Sequence, residues 1–195
     1  IMVGNGVGAR NGILFKTSEA LENAGKLRII ALDKTGTITE GRPEVSDLIP
    51  EENVSERELL FLAASLEKRS EHPLAGAVMR RAEEEHVDAG ELRDFRALAG
   101  NGLTGRLGDS VLHGGSESFI STLAKLPPKL SERAAALSAE GKTALYFERD
   151  GEVLGMIAVS DRIKEDSAEA AAELRRMGIS LVMLTGDNER TAKAI

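Results

Sequence analysis

A carboxylate followed by a polar, hydroxyl-rich loop is the feature of this sequence best suited to chemistry. Asp33 comes directly after an apolar run at 27–32 and before a loop with one cation, one glycine and three hydroxyls: Lys34, Gly36, Thr35, Thr37 and Thr39. Open α/β sheets bind ligands beyond the carboxyl ends of buried parallel strands, where loop amides can hold an anion. The loop therefore suits a phosphoryl group. The local pattern fits a solvated turn, in which Asp33 only caps the chain, equally well.

A second apolar run, 179–184, also ends in a polar loop, Thr185-Gly186-Asp187-Asn188. Both runs have the length and the apolar content of buried parallel strands. We predict that they belong to one α/β sheet. Residues 43–159, which separate them, then form an α+β insertion.

The insertion carries local signals for helices and antiparallel hairpins. Ser55 with Glu58 three positions later is a capping box that predicts the start of a helix, and a second helix is expected over 73–85. Between 95 and 120, short apolar runs are broken by six glycines, which favours hairpins over helices. Asp150-Gly151 predicts the turn of a further hairpin.

The segments outside the insertion are less regular. Residues 1–10 contain three glycines and are expected to form a mobile connection rather than a helix or strand. Thr17 or Ser18 can cap a short helix that ends near Gly25. Asp161 lies where the chain leaves the insertion, and either a brace at this hinge or a helix N-cap suits it.

Composition excludes several classes of function. The chain has 195 residues with a net charge of −7, and its basic residues are scattered, so no nucleic-acid partner is expected. There is no Cys, which excludes disulfides, thiolate metal sites and a thiol nucleophile. No apolar run approaches the roughly 18 to 20 residues that span a bilayer.

Three motifs give the chain a specific resemblance to P-type cation-transporting ATPases. The run Asp33-Lys34-Thr35-Gly36-Thr37-Ile38-Thr39 is similar to the signature around the phosphorylated aspartate of that family. Ser70-Glu71-His72-Pro73-Leu74 resembles the histidine-proline element of the heavy-metal-transporting subgroup, and Thr185-Gly186-Asp187-Asn188 resembles the second phosphate-site loop. The resemblance covers essentially the whole chain.

This resemblance implies a reaction for the loop after the first strand. Asp33 would attack the γ-phosphate of ATP and become an aspartyl phosphate. Asp33 and the Thr35 carbonyl would be ligands of Mg²⁺, with Lys34 as the neighbouring cation of the catalytic loop. Thr185 would hydrogen-bond the phosphoryl group, and Asp187 would help to arrange nucleotide and metal.

The resemblance also assigns nucleotide binding to the insertion. His72, with Glu67 near the adenine amino group, and the close-approach glycines Gly100, Gly102 and Gly114 would bind ATP or ADP. The string Gly100-Asn101-Gly102-Leu103-Thr104-Gly105 fits a dinucleotide fingerprint, but the residues after it are strand-like rather than helical, so that interpretation fails. The subgroup commonly has Gly-Asn where this chain has Gly114-Gly115, which removes one potential hydrogen bond to ATP.

The implied architecture is a haloacid-dehalogenase-like (Rossmannoid) α/β phosphorylation domain, incomplete, with an inserted α+β nucleotide-binding domain on an antiparallel sheet. Residues 1–26 would be a linker from a membrane segment, 27–42 and 160–195 the phosphorylation domain, and 43–159 the nucleotide-binding domain. The chain would be the cytoplasmic portion of a membrane pump, with the actuator and transmembrane domains of that pump as partners.

The transported ion is expected to be monovalent copper, exported by the parent pump and not bound by this chain. Zinc or cadmium transport is the alternative within the subgroup. A soluble haloacid-dehalogenase-type phosphatase is the alternative outside it. Such phosphatases use an acid/base aspartate two residues after the nucleophile, where this chain has Thr35, which favours a longer-lived phosphoenzyme.

Overall fold

The computed structural model describes residues 2–98 and 100–185. Its helices are α1 (Met2–Arg10), α2 (Ser18–Ala24), α3 (Glu56–Glu67), α4 (Ala75–Glu84), α5 (Glu117–Ile120), α6 (Pro128–Ala139) and α7 (Ser167–Arg176). Its strands are β1 (Ile29–Asp33), β2 (Glu44–Pro50), β3 (Arg93–Leu98), β4 (Gly102–Leu107), β5 (Ser110–Gly115), β6 (Thr143–Arg149), β7 (Glu152–Ser160) and β8 (Ser180–Leu184). None of the helices in these residues has the length and apolar character needed to cross a bilayer.

Two strands far apart in the sequence form a parallel pair. β1 lies beside β8, with Ile29 opposite Ser180 and Asp33 opposite Leu184. This pairing confirms the prediction of one α/β sheet. The prediction that both strands are buried is wrong within the described residues, where β1 and β8 have only each other as neighbours in the sheet. Ile29 is 62% exposed and Leu184 is 53% exposed.

The chain between these strands builds a six-stranded antiparallel sheet in the order β2-β7-β6-β5-β4-β3. The Ser55 hydroxyl accepts the Glu58 N–H at the start of α3, as the capping pattern predicted. The β6–β7 hairpin turns at Asp150 and Gly151, which have φ of 51° and 89°. This confirms the antiparallel sheet that was expected for the insertion.

Helices cover both faces of the six-stranded sheet. Leu59, Leu60 and Leu66 of α3 pack with Phe147 and other strand residues in one apolar cluster. Leu130 and Leu137 of α6 pack with Tyr146 and Met156 in a second cluster. Because neighbouring residues Tyr146 and Phe147 of β6 belong to different clusters, the clusters lie on opposite faces. The six-stranded sheet therefore has a core on each side.

The first ten residues differ from their prediction as a mobile connection. Residues 2–10 form α1, which packs against α2. A Cβ at Gly4 would lie 3.0 Å from the Leu21 side chain, and one at Gly8 would lie 3.1 Å from the Ile13 carbonyl oxygen. These glycines allow the chain to pack closely. The sequence prediction treated them only as residues that interrupt helices, and it was therefore wrong here.

Candidate functional site

A groove of about 1660 Å³ runs between the end of the six-stranded sheet and the end of the β1–β8 pair. Predicted site residues from both regions line it: Lys34, Thr35, Glu67, His72, Gly100, Gly102, Gly114 and Thr185. Asp33 directly precedes this lining at the end of β1. Asp187 lies outside the described residues. The groove therefore brings together most of the side chains that the sequence singled out.

The phosphoacceptor candidate lies at the carboxyl end of a parallel strand. Asp33 is the last residue of β1 and is exposed, and it pairs with Leu184, the last residue of β8. Thr185 follows Leu184 directly. The register therefore places the two loops that contain Asp33 and Thr185 side by side at one edge of the sheet.

The loop after Asp33 is fixed by its own last threonine. Thr39 is fully buried, and its N–H donates to the Lys34 carbonyl oxygen at 3.0 Å. Its hydroxyl oxygen accepts the Gly36 N–H at 3.3 Å. Gly36 has a φ of 76°, a left-handed conformation that favours glycine. The loop is therefore a closed turn that holds Lys34 and Thr35 next to Asp33.

The returning chain braces this turn. Asp161 Oδ2 accepts the Thr39 hydroxyl at 2.6 Å, and Asp161 Oδ1 accepts the Arg42 N–H at 3.0 Å. Lys164 Nζ donates to the Gly36 carbonyl oxygen at 2.9 Å. The sequence left two roles open for Asp161, and the structure has the brace rather than the helix N-cap. The sequence named Thr39 only as a hydroxyl of the loop. Its bond to Asp161 and the bond of Lys164 to Gly36 were not predicted, because each joins residues more than a hundred positions apart.

Glu67 is a buried carboxylate at the end of α3, and it lines the groove. It is 7% exposed, and its Oε2 has no hydrogen-bond partner among the described residues. Burial raises the pKa of Glu67 to about 6, although a hydrogen bond from Ser70 opposes the shift. An unpaired buried acceptor is unfavourable unless a ligand supplies a donor. Glu67 can therefore receive an amino group.

His72 lies in the turn before α4 and is exposed to the groove. Its Nδ1 accepts the Leu74 N–H at 3.2 Å, and its own N–H donates to the Ser70 hydroxyl at 3.2 Å. Since Nδ1 accepts, the proton of the neutral ring is on Nε2. These bonds fix the ring and leave a donor and an aromatic face for a ligand.

The three site glycines have different structural requirements. Gly100 has a φ of 75° and open space around it. A Cβ at Gly102 would fall less than 3.0 Å from the Gly114 carbonyl oxygen, and a Cβ at Gly114 would meet Phe147 at 2.9 Å. Gly102 and Gly114 thus allow β4 and β5 to approach each other and pack on the core, while the backbone at this end of the strands lines the groove.

Residues 27–195 match the protein family described as haloacid dehalogenase-like hydrolase. The chain belongs to that family. The match includes both strands of the parallel pair and everything between them, and it confirms the fold class that the sequence predicted.

Relatives within this haloacid dehalogenase-like family are metal-transporting ATPases. The chain is 43% identical to a copper-transporting P-type ATPase of Rhizobium leguminosarum bv. viciae, over 100% of the chain and 23% of the relative. It is 44% identical to a probable copper-exporting P-type ATPase of Archaeoglobus fulgidus, over 100% of the chain and 24% of the relative. The chain thus spans about a quarter of the length of these relatives.

A solved structure of a metal-transporting ATPase is also similar to the whole of this chain. A zinc-transporting PIB-type ATPase in its E2.Pi state superposes with a TM-score of 0.71 at 36% identity, over 100% of this chain and 31% of that one. The resemblance to heavy-metal P-type ATPases that the sequence motifs indicated is therefore confirmed over the whole chain.

Proposed function

We propose that this chain is the ATP-binding and phosphorylation region of a heavy-metal-transporting P-type ATPase. The observation that carries the proposal is the single groove that joins Glu67 and His72 to Thr35 and Thr185, beside Asp33. A nucleotide whose base lies at Glu67 could extend its phosphates toward the end of β1. The similarity of the whole chain to a part of copper-transporting ATPases supports this arrangement.

In the proposed reaction a carboxylate oxygen of Asp33 attacks the γ-phosphorus of ATP. A P–O bond forms to Asp33, the bond to the bridging oxygen breaks, and ADP leaves with the electron pair. Lys34 and the Thr185 hydroxyl offset the negative charge that develops on the phosphoryl oxygens. Asp187 helps to arrange nucleotide and metal.

The oxygen donors at the end of β1 fit a magnesium ion. Asp33 is an exposed carboxylate, and the Thr35 backbone contributes a carbonyl oxygen within the braced turn. Mg²⁺ prefers such oxygen ligands and retains several waters, so few protein ligands are needed. When bound, the ion would neutralise charge between the carboxylate and the phosphates.

Glu67 and His72 would select the nucleotide. The unpaired Oε2 of Glu67 suits the amino group of adenine, and the fixed ring of His72 offers a face for the base. Gly100, Gly102 and Gly114 keep side chains away from the ligand. ATP and ADP would therefore share the same base site.

The parent protein would couple this phosphorylation to the export of a metal ion, which we propose is monovalent copper. The names of the relatives support copper. The actuator and transmembrane domains of the parent would be the partners of this chain, which would lie on the cytoplasmic side of the membrane. A soluble phosphatase of this type needs an acid/base aspartate two residues after the nucleophile. This chain has Thr35 at that position, which disfavours the phosphatase alternative.

The direct test of nucleotide binding uses two histidines. His72→Gln should raise the dissociation constant for ATP about tenfold, because a fixed hydrogen bond and ring contact are lost. His86→Gln is the matched control, since His86 is exposed and lines a separate small cavity beside Arg57 and Asp88. Calorimetric titration of the chain with ATP measures both. Equal affinities in the two variants, or steady hydrolysis of a non-nucleotide phosphomonoester, would contradict the proposal.

A further inference from the structure

A carboxylate that the proposed reaction does not use is buried behind the glycine-lined end of the groove. Glu148, on β6, is 2% exposed. Its Oε2 lies 2.6 Å from Nδ1 of His113 on β5, and its Oε1 accepts the Gly151 N–H. Within the described residues, His113 is the only basic side chain at ion-pair distance from Glu148. A buried carboxylate is unfavourable unless its lone pairs are satisfied, and here two donors satisfy them.

A chain of contacts leads from Glu148 to the groove. The His113 ring meets Phe119 of α5 edge-on, with ring centroids 6.0 Å apart and planes at 75°. Phe119 Cδ1 lies 3.1 Å from the point that a Cβ at Gly115 would occupy. Gly115 and its neighbour Gly114 line the groove. Glu148, His113, Phe119 and Gly115 are thus in consecutive contact.

The backbone at Gly115 has no room on the side that a Cβ would occupy. The same hypothetical Cβ would lie 2.5 Å from the Asn101 carbonyl oxygen and 2.9 Å from Gly102 Cα, on the facing strand. Phe119 Cδ1 reaches the same point. A displaced ring would therefore change the packing where the ends of β4 and β5 line the groove.

We propose that Glu148 and His113 are positioning residues for the nucleotide pocket. The hydrogen bond between Glu148 Oε2 and His113 Nδ1 fixes the plane of the ring. The ring supports Phe119, and Phe119 holds the Gly114–Gly115 backbone where the nucleotide approaches. Holding this backbone before the ligand arrives lowers the entropic cost of binding. The role rests on the nucleotide-binding function proposed above.

Three variants of the whole chain test the role through the dissociation constant for ATP. Glu148→Ala breaks the contact without leaving a buried charge, and it should weaken ATP binding about three- to tenfold. Glu148→Gln keeps an oxygen that can accept from His113 and should stay within about twofold of the original chain. Asp150→Ala is the control, because Asp150 lies in the same β6–β7 hairpin as Glu148 and accepts the Val111 N–H of β5 without contacting His113. Equal affinities for Glu148→Ala and Asp150→Ala would overturn the role.

Phe119→Leu interrupts the same series of contacts between His113 and Gly115. It keeps the role testable if Glu148→Ala does not fold. It should weaken ATP binding to a similar extent, and the double variant should bind no more weakly than the weaker single one, because residues that act in series are not additive. Additive losses, or unchanged affinity in Phe119→Leu, would overturn the role.

Amide hydrogen exchange at Gly115 separates this role from the proposed function, since it needs no nucleotide. Glu148→Ala should speed this exchange about three- to tenfold, while Glu148→Gln should not. If the original chain fails to bind ATP, the nucleotide function is wrong, and the Gly115 exchange rates still decide whether the contacts position the backbone. Unchanged exchange in Glu148→Ala would contradict the positioning role.

Discussion

The six-stranded sheet and the β1–β8 pair cover their apolar residues to very different extents. The large sheet has a cluster on each face, and Leu59, Leu60 and Ile157 are fully buried. The parallel pair leaves Ile29 and Leu184 more than half exposed among the described residues. A two-stranded sheet is marginal by itself in water, whereas several strands covered by helices are stable. We therefore expect the region proposed to bind the nucleotide to be more stable than the parallel pair within the described residues.

The two chain segments that run between the regions, around residues 39–42 and 161–164, are held to each other by polar contacts. Asp161 receives bonds from Thr39 and Arg42, and Lys164 contacts the Gly36 carbonyl oxygen. Such bonds keep their geometry only while the chain segments stay aligned. The loop after Asp33 is thereby fixed to the segment through which the chain returns from the six-stranded sheet.

The largest expected difference between the regions can be tested by producing the six-stranded sheet region without the β1–β8 pair. We expect residues 43–160, which include all strands of the large sheet, to unfold cooperatively and to bind ATP within about threefold of the whole chain, because both cores lie inside this segment. Urea denaturation and calorimetric titration measure the two properties. A segment without a cooperative transition would show that the large sheet needs the rest of the chain.

Two substitutions that shorten an apolar side chain, one in each region, compare the regions directly. Leu60→Ala should lower the free energy of unfolding by about 2–5 kcal/mol, since Leu60 is fully buried. Val182→Ala on β8 should cost less than about 1 kcal/mol, because Val182 is 46% exposed. Denaturant unfolding of both variants measures the difference. Similar losses would mean that β8 belongs to a cooperative core.

A smaller effect concerns pH and Glu67. The pKa of this carboxyl is raised from 4.5 to about 6 in the folded chain. The protonated form is thus favoured by folding, and its contribution is fully present below pH 4.5 and lost as the pH rises through 6. Relative to Glu67→Gln, the original chain should therefore lose up to about 2 kcal/mol of stability between pH 4.5 and 7.5.

Ionisation of Glu67 should strengthen ATP binding although it lowers the stability of the folded chain. Ionised Glu67 is the better acceptor for an amino group, so ATP affinity should rise as the pH increases through 6. Glu71→Gln, at an exposed position in the same groove, is the control for both measurements. A pH profile of Glu67→Gln that matches the original chain would show that another group titrates.

Local sequence signals predicted the local parts of the fold well. The Ser55 cap, the Asp150–Gly151 turn and the pairing of the two apolar runs are all present. They were predictable because a few neighbouring residues, or the period of an apolar run, determine them. Helix α1 was missed because its glycines serve packing against α2, which no local pattern reveals.

Contacts between distant residues explain the unpredicted part of the site. The motif around Asp33 identified the loop, but the Thr39–Asp161 bond joins residues 122 positions apart. The His113–Glu148 contact depends on the register of β5 against β6. Sequence spacing alone fixes neither register nor crossover geometry, so these residues had no visible partners before the fold was known.

The central claim is that Asp33 accepts phosphate from ATP bound in the groove. The most direct measurement is acid-quenched labelling of the full-length protein with γ-labelled ATP and Mg²⁺, followed by mapping of the labelled residue. We predict an acid-stable label on Asp33, which Asp33→Asn abolishes while ATP binding remains measurable. Undiminished labelling of Asp33→Asn would place the nucleophile elsewhere and contradict the account.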